Sequence, residues 1–275
     1  EYALLDGEKE TVARAIDEHY RPRFAGDKQP DTMAGRILSL ADKIDNIVGT
    51  FSRGKIPSGS QDPFALRRQA LGVVHMLTEA KLHLSLRQLT DWSMELYGIN
   101  DPAAQTKMQK DVADFMRLRL KNVLEGESIR YDVIDAVMAD VNDLYAVELR
   151  AQAVQKFVGT EAAVGNIQAF VRAANLVAKA ETEGFKEELF QVEAEKALGQ
   201  VCRSTESSVQ SLLAGQDYVG AIDALTELTA PIDKFFEDVM VMDKDEAVRN
   251  NRLGLLKSID NLVGKVADFS KIVLA

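Results

Sequence analysis

The segment LLKSIDNLVGKVADFSKIV (residues 255–273) shows most clearly which fold class the chain belongs to. Large apolar residues recur in it at alternating intervals of four and three positions. This spacing places them on one face of an α-helix. The members of this apolar stripe are Leu255, Ile259, Leu262, Val266, Phe269 and Val273. We therefore predict a single helix over 244–273 that packs this stripe against other helices.

The same helical spacing extends over almost the whole chain, and no strand-like alternation bounded by turn residues interrupts it. The prediction is an all-α protein in which Asp62 caps a helix and Pro63 is its first residue. Trp92 is expected in the core. The charge balance changes near Gly126, so we predict two domains, 1–126 and 127–275. The other predicted helices are one ending near Tyr20 and those at 32–48, 85–97, 102–124, 131–140, 142–157, 161–181, 187–213, 217–228 and 231–240.

The composition bounds the class of protein. With 275 residues, 46% of them apolar, the chain is long enough for two folded domains. Its one cysteine, Cys202, excludes an internal disulfide and a cysteine-ligated metal. No apolar run reaches the roughly 20 residues that span a bilayer, and the first residues lack the pattern of a signal peptide. We expect a soluble, cytoplasmic protein. Because the chain lacks an initiator Met and opens within a helical pattern, we also expect a piece of a longer one.

The net charge of −10 argues against a general nucleic-acid coat, since affinity for phosphates comes from clustered Lys and Arg. Residues 1–125 balance to zero, and residues 126–275 carry the whole excess of acid. Any contact with nucleic acid must therefore come from local basic patches.

Two catalytic hypotheses follow from motifs. Gly49 and the Gly54-Lys55 pair have the spacing of a phosphate-binding loop, but Ile56 stands where Ser or Thr must hold Mg²⁺. An HD-type metal phosphohydrolase requires an adjacent His-Asp pair, and none of the three histidines precedes an Asp. His19 and Asp42 are interpreted as a degenerate remnant of such a site. We predict no catalytic residue and no metal site, although missing upstream sequence could supply ligands.

A basic segment precedes and enters one helix. It contains Arg53, Lys55, Ser58, Ser60, Arg67 and Arg68. A helix N-terminus attracts anions and mildly disfavours cations. The sequence leaves two explanations for this clustering open, which are a bound phosphate and an internal ion-pair network.

Several segments carry a resemblance to a known family. The longest is FSRGKIPSGSQDPFALRRQALG (51–72). The others are HYRPRFAG (19–26), ADKIDNIVG (41–49), RYDVIDA (130–136), PIDKFFEDVMVM (231–242), RNNRL (249–253) and VADFSK (266–271). Together they resemble, in order and over essentially the whole chain, the C-terminal part of the β subunit of bacterial α2β2 glycyl-tRNA synthetase.

This resemblance implies an HD-like helical domain followed by a helical anticodon-binding-type bundle. It also implies a role in binding tRNA(Gly) beside an α subunit that activates glycine. ATP and Mg²⁺ would serve the whole enzyme and not this fragment, and neither DNA nor a membrane is expected as a partner. The alternatives are an HD-type metal phosphohydrolase and a purely structural helical scaffold.

The anticodon-side candidates are Lys244, Arg249, Asn250 and Arg252. Arg252 lies in line with the apolar stripe, so it is also a candidate for a buried partner of Glu237 or Asp238. Apolar residues before it are candidates for stacking on bases, but helical spacing favours the core for them. These residues are Phe235, Phe236, Met240 and Met242.

Overall fold

The structure is a computed structural model that describes residues 1–24, 26–178, 180 and 183–274. Over these residues it contains helices and no strand, so the predicted all-α class is confirmed. The chain forms two compact units. Unit 1 comprises Glu1–Ser128 and Asp140–Glu148, and unit 2 comprises Ile129–Ala139 and Leu149–Ala275. The two-domain prediction placed both 129–139 and 140–148 in the second domain, whereas in the structure 140–148 belongs to unit 1. Within the described chain, no helix combines the length and apolar character needed to cross a membrane.

Most predicted helices coincide with observed ones. The α-helices are α1 Tyr2–Leu5, α2 Glu10–Glu18, α3 Met33–Ser52, α4 Leu66–Glu79, α5 Leu86–Leu96, α6 Pro102–Gly126, α7 Tyr131–Val137, α8 Leu144–Val158, α9 Ala163–Val177, α10 Glu193–Ala214, α11 Tyr218–Thr226, α12 Thr229–Asp238 and α13 Glu246–Gly264. Short 3₁₀ helices lie at Glu187–Leu189 and Phe269–Lys271.

Helix α3 lies at the centre of unit 1, because α2, α4, α5 and α6 all pack against it. Its buried face carries Leu40, Ile44, Ile47, Val48 and Phe51 at helical spacing. Burying each such side chain contributes about 1.5–3 kcal/mol. The buried face of α3 is therefore central to the core of unit 1, the unit that carries the basic segment.

Glu18 joins the end of α2 to the start of α3. Its carboxylate is buried and accepts bonds from the Thr32 amide at 3.0 Å, the Thr32 hydroxyl at 2.5 Å and Arg14 Nε at 2.8 Å. The Thr32 hydroxyl in turn accepts a bond from the Gly35 amide and caps α3. Burial raises the pKa of Glu18, but the bonds from Thr32 and the ion pair with Arg14 lower it to about 2.

Two predicted helices differ from the observed ones. The first predicted helix is broken at Gly7, whose φ of +84° is accessible to glycine without a steric penalty. Pro63 does not begin a helix, since α4 starts at Leu66 after a left-handed Ala65. Asp62 nevertheless accepts hydrogen bonds from the first amides of α4. Its carboxylate accepts the Leu66 amide at 2.8 Å and the Arg67 amide at 3.0 Å.

Trp92 is not a core residue, contrary to the prediction. Its side chain is 56% exposed. Helix α5 buries Leu86, Thr90 and Met94, and a residue two positions from Thr90 and Met94 points to the opposite side of a helix that turns about 100° per residue. The indole therefore faces solvent in unit 1.

Unit 2 is built on α9 and α10. Helix α13 packs on both of them, and α10 also contacts α11 and α12. The apolar stripe is buried as far as Phe269, as predicted, but the helix itself ends at Gly264 and Val273 is 51% exposed. Tertiary bonds explain the early end, because the Asp268 amide bonds to the Ala136 carbonyl at 2.9 Å.

Candidate nucleic-acid interface

The basic segment 53–68 in unit 1 is held by bonds to backbone carbonyls. Arg67 donates to the Gly59 carbonyl at 2.7 Å, which fastens the loop to the start of α4. Arg68 donates to the Arg23 carbonyl at 3.0 Å. A backbone pairing of Ser58 with Gln61 closes the turn between them. The guanidinium groups therefore shape the loop without losing their charge.

The cations of this segment have no carboxylate partner in the described structure. Arg53, Lys55 and Arg68 are exposed and Arg67 is half-buried, and none of their described side-chain nitrogens lies within 4.0 Å of an acidic oxygen. Lys55 instead lies 5.7 Å from the centre of the Phe64 ring. This geometry gives no support to the internal ion-pair network. It favours the other explanation, an external anion.

Arg119 on α6 joins this cluster, although the sequence pattern gave no sign of it. Its guanidinium lies 3.9 Å from the centre of the Phe115 ring and donates to the Phe115 carbonyl at 3.0 Å. Burial and the nearby charge of Arg67 lower its pKa, and the charge of Asp62 opposes this in part. About fifty residues separate Arg119 from the basic segment, so no local pattern could reveal the association.

The phosphate-loop spacing proves to be coincidental. Gly49 lies inside α3, and a side chain there would overlap the hydroxyl of Tyr97. The small residue is therefore explained by the close approach of Tyr97, whose hydroxyl donates to Asp45 at 2.9 Å.

A buried lysine bonds to the backbone of His19 in the predicted metal-site remnant, which consists of His19 and Asp42. Lys43 is buried and donates to the His19 carbonyl at 3.1 Å, the Arg21 carbonyl at 2.9 Å and the Ser39 hydroxyl at 2.6 Å. Burial lowers its pKa, partly offset by the charge of neighbouring Asp42. His19 Nδ1 contacts the Ile16 carbonyl at 2.6 Å. Among the described residues, no three His, Cys, Asp or Glu side chains are arranged to hold a metal ion.

The anticodon-side candidates lie at the start of α13 in unit 2. Asp245 caps this helix by accepting the Ala247 and Val248 amides at 2.9 and 3.3 Å. Lys244 is exposed, whereas Arg249 and Asn250 are half-buried. Arg249 donates to the Asp243 carbonyl at 3.1 Å.

Arg252 is a buried structural residue, and its predicted partners were wrong. Its side chain is 4% exposed, and it pairs with Glu195 at 2.6 Å and Asp243 at 2.8 Å, not with Glu237 or Asp238. A third bond reaches the Met240 carbonyl at 2.9 Å. A bond from the Asp245 amide and the Arg252 charge hold the pKa of Asp243 below its usual range. The guanidinium could reach RNA only if this pair were broken.

The predicted stacking residues divide between core and surface. Phe235 is fully buried and Phe236 is half-buried, whereas Met240 and Met242 are 76% and 47% exposed. The two methionines thus present apolar surface just before α13. Met240 and Met242 remain candidates for contact with bases, and Phe235 belongs to the core.

Two family models match the chain, one in each half. The model described as "Glycyl-tRNA synthetase beta subunit" matches residues 1–139. The model described as "DALR anticodon binding domain" matches residues 167–269. The second match includes α10 to α13 and therefore the anticodon-side candidates.

Curated relatives agree with these matches. The chain is 45% identical to the glycine–tRNA ligase beta subunit of Desulforamulus reducens over 277 residues, which cover 100% of this chain and 40% of the relative. It is 42% identical to that of Halothermothrix orenii, with the same coverage, and 40% identical to that of Clostridioides difficile. The chain spans about 40% of the length of these relatives. It belongs to the glycyl-tRNA synthetase beta subunit family.

Proposed function

We propose that this chain is the tRNA-binding part of a glycine–tRNA ligase β subunit. It would position tRNA(Gly) for glycylation by an α subunit, which would bind ATP and Mg²⁺, in the cytoplasm. The observation that carries the proposal is the anticodon-binding-domain match over unit 2, joined in one chain to the synthetase β-subunit match. In this role the chain binds and orients RNA, and bond formation takes place in the partner subunit.

The basic segment 53–68 of unit 1 is suited to phosphate contacts. Arg53 and Lys55 are exposed and have no acidic partner in the described structure, so binding a phosphate requires no ion pair to be broken. Phosphate contacts position an RNA without reading its sequence. Base recognition is assigned to unit 2, where Lys244, Arg249 and Asn250 lie at the start of α13 and the exposed Met240 precedes them in the chain.

Filter binding of tRNA(Gly) at several salt concentrations tests the phosphate contacts. We expect the Arg53→Gln/Lys55→Gln double variant to bind more weakly and to lower the salt slope by about 0.7–0.9 for each phosphate that is no longer neutralised. Lys110→Gln, which removes an exposed cation from α6, serves as the matched control. An unchanged slope in the double variant would remove this segment from the interface. If the chain showed no salt-dependent affinity for tRNA, a purely structural role as a helical scaffold would be the remaining explanation.

The anticodon assignment requires a separate experiment. Arg249→Ala is compared with the wild type on tRNA(Gly) and on the same tRNA with a changed anticodon. We expect the variant to lose discrimination between the two RNAs, because base contacts carry sequence specificity. Discrimination that survives in Arg249→Ala would show that this residue does not read the anticodon.

A further inference from the structure

Unit 1 contains a cavity of about 1110 Å³ that is lined by residues from 22–24 and 26–29, from the loop at 56–59, and from α4 and α6. Its volume is near the upper end of roughly 300–1000 Å³ that is typical of small-molecule sites. A double-stranded RNA is too wide to enter it. A ligand of the size of one nucleotide can enter.

Three arginines line the cavity. Arg67, Arg68 and Arg119 all line it, and each donates to a backbone carbonyl and to no carboxylate within the described residues. The positive charge of Arg67 lowers the pKa of Arg119, and the negative charge of Asp62 offsets this repulsion only in part, so a bound anion would relieve the remainder. A guanidinium binds phosphate through two parallel bonds, so these arginines have the chemistry that a phosphate requires.

Acidic residues also line the cavity, but each already has a partner. The pairs are Asp27 with the Arg23 and Lys28 amides, Glu79 with His75, Asp111 with Lys107, and Asp114 with Arg117. None of these carboxylates bonds to one of the three arginines, so the remaining guanidinium N–H groups are available to a ligand.

Apolar side chains and one unsatisfied acceptor also line the cavity. Leu71, Phe115 and Leu118 contribute apolar surface, and Leu118 is 53% exposed although it is a leucine. The Gln29 side-chain oxygen is buried without a donor among the described residues. A buried acceptor normally receives a hydrogen bond. A nucleotide has both an apolar ring face and N–H or O–H donors.

We propose that this cavity binds a single phosphorylated nucleotide. Its phosphate lies at Arg67, Arg68 and Arg119, its base lies against Leu118 and the adjoining apolar side chains, and one of its donors reaches Gln29. The nucleotide is either a free nucleoside monophosphate or one unpaired nucleotide of an RNA. Both sources present the same chemistry, and the site does not require the contacts of Arg53 and Lys55.

Isothermal titration calorimetry on the 275-residue chain tests the site with AMP, CMP, GMP and UMP. The matching nucleosides and inorganic phosphate are titrated in parallel. We expect at least one monophosphate to bind about tenfold or more tightly than its nucleoside and than phosphate, because each charge-assisted bond contributes about 1.5–3 kcal/mol. Inorganic phosphate that binds as tightly as every monophosphate would overturn the proposal.

Variants locate the ligand. Arg119→Gln removes a half-buried cation, and Leu118→Glu places a charge beside the apolar lining at an exposed position that tolerates substitution. Each is expected to lower the affinity about tenfold or more, while Lys110→Gln on the same helix leaves it unchanged. Circular dichroism shows whether each variant is folded. If Arg119→Gln fails to fold, Leu118→Glu still decides.

Titration with tRNA separates the two sources. If no monophosphate binds and Leu118→Glu lowers tRNA affinity about tenfold, the ligand is a nucleotide of the RNA, and the proposal is supported. If neither tRNA nor monophosphate affinity responds to Arg119→Gln or Leu118→Glu, the cavity site is refuted. The Arg53→Gln/Lys55→Gln variant reports the proposed tRNA function independently, so failure of either proposal is visible without the other.

Discussion

Replacing Arg252 by alanine is expected to destabilise unit 2 strongly. The substitution leaves the fully buried Glu195 carboxylate without its cation. A charge-assisted bond contributes about 1.5–3 kcal/mol, and the bond to the Met240 carbonyl adds about 1 kcal/mol. Asp243 is 32% exposed, so its share is only about 0.5–1 kcal/mol. The total of about 4 kcal/mol falls within the range known for breaking a buried pair.

Urea unfolding followed by circular dichroism measures this loss. A decrease of about 4 kcal/mol corresponds to a melting temperature lower by roughly 8–16 °C, if a domain of this size shifts about 2–4 °C per kcal/mol. Arg249→Ala is the matched control on the same helix, and we expect its cost to be near 1 kcal/mol, because Arg249 makes one bond to a carbonyl.

The tRNA affinity of Arg252→Ala separates a structural role from an RNA contact. At a temperature where the variant is folded, its affinity for tRNA(Gly) should equal that of the wild type. Arg249→Ala, in contrast, should lose discrimination between tRNA(Gly) and the tRNA with a changed anticodon. A loss of stability below about 1 kcal/mol together with weakened tRNA binding would refute the assignment of Arg252 to the core.

Four further outcomes are expected. The stability advantage of the wild type over Glu18→Gln should be fully present above pH 4.5 and fall by about 3 kcal/mol as the pH drops toward 2, because the pKa of Glu18 in the folded state is about 2. Urea unfolding of both proteins across this pH range measures the difference. Cys202, whose pKa burial raises to about 11, should react with a thiol reagent at pH 8 only after unfolding, and equally fast reaction in the native state would contradict its buried position. Gly49→Ala should lower the free energy of unfolding by about 1–3 kcal/mol through its overlap with Tyr97, and adding Tyr97→Ala should relieve that overlap in a double-mutant cycle. Trp92→Gln should change stability by less than about 0.5 kcal/mol, and a larger loss in thermal melting would mean that the indole is buried.

The sequence determined the helical class, the positions of most helices and the family. The stripe from Leu255 to Phe269 is buried as its spacing predicts, since residues three and four apart share one face of a helix. The family resemblance depends on motifs spread over the chain and was confirmed by both family models. The cations at 53–68 were also visible as a local cluster.

Only the tertiary structure decided which of these charges are available to a ligand. Arg252 is buried because Glu195 and Asp243 meet it, and Arg119 joins Arg67 because α4 packs on α6. Similarly, α13 ends at Gly264 and Trp92 remains exposed because of contacts and packing directions outside the local pattern. The physical reason is the difference in sequence separation between the residues that interact. A helix forms through bonds between residues four apart, whereas the state of a charge depends on groups that only folding brings near it.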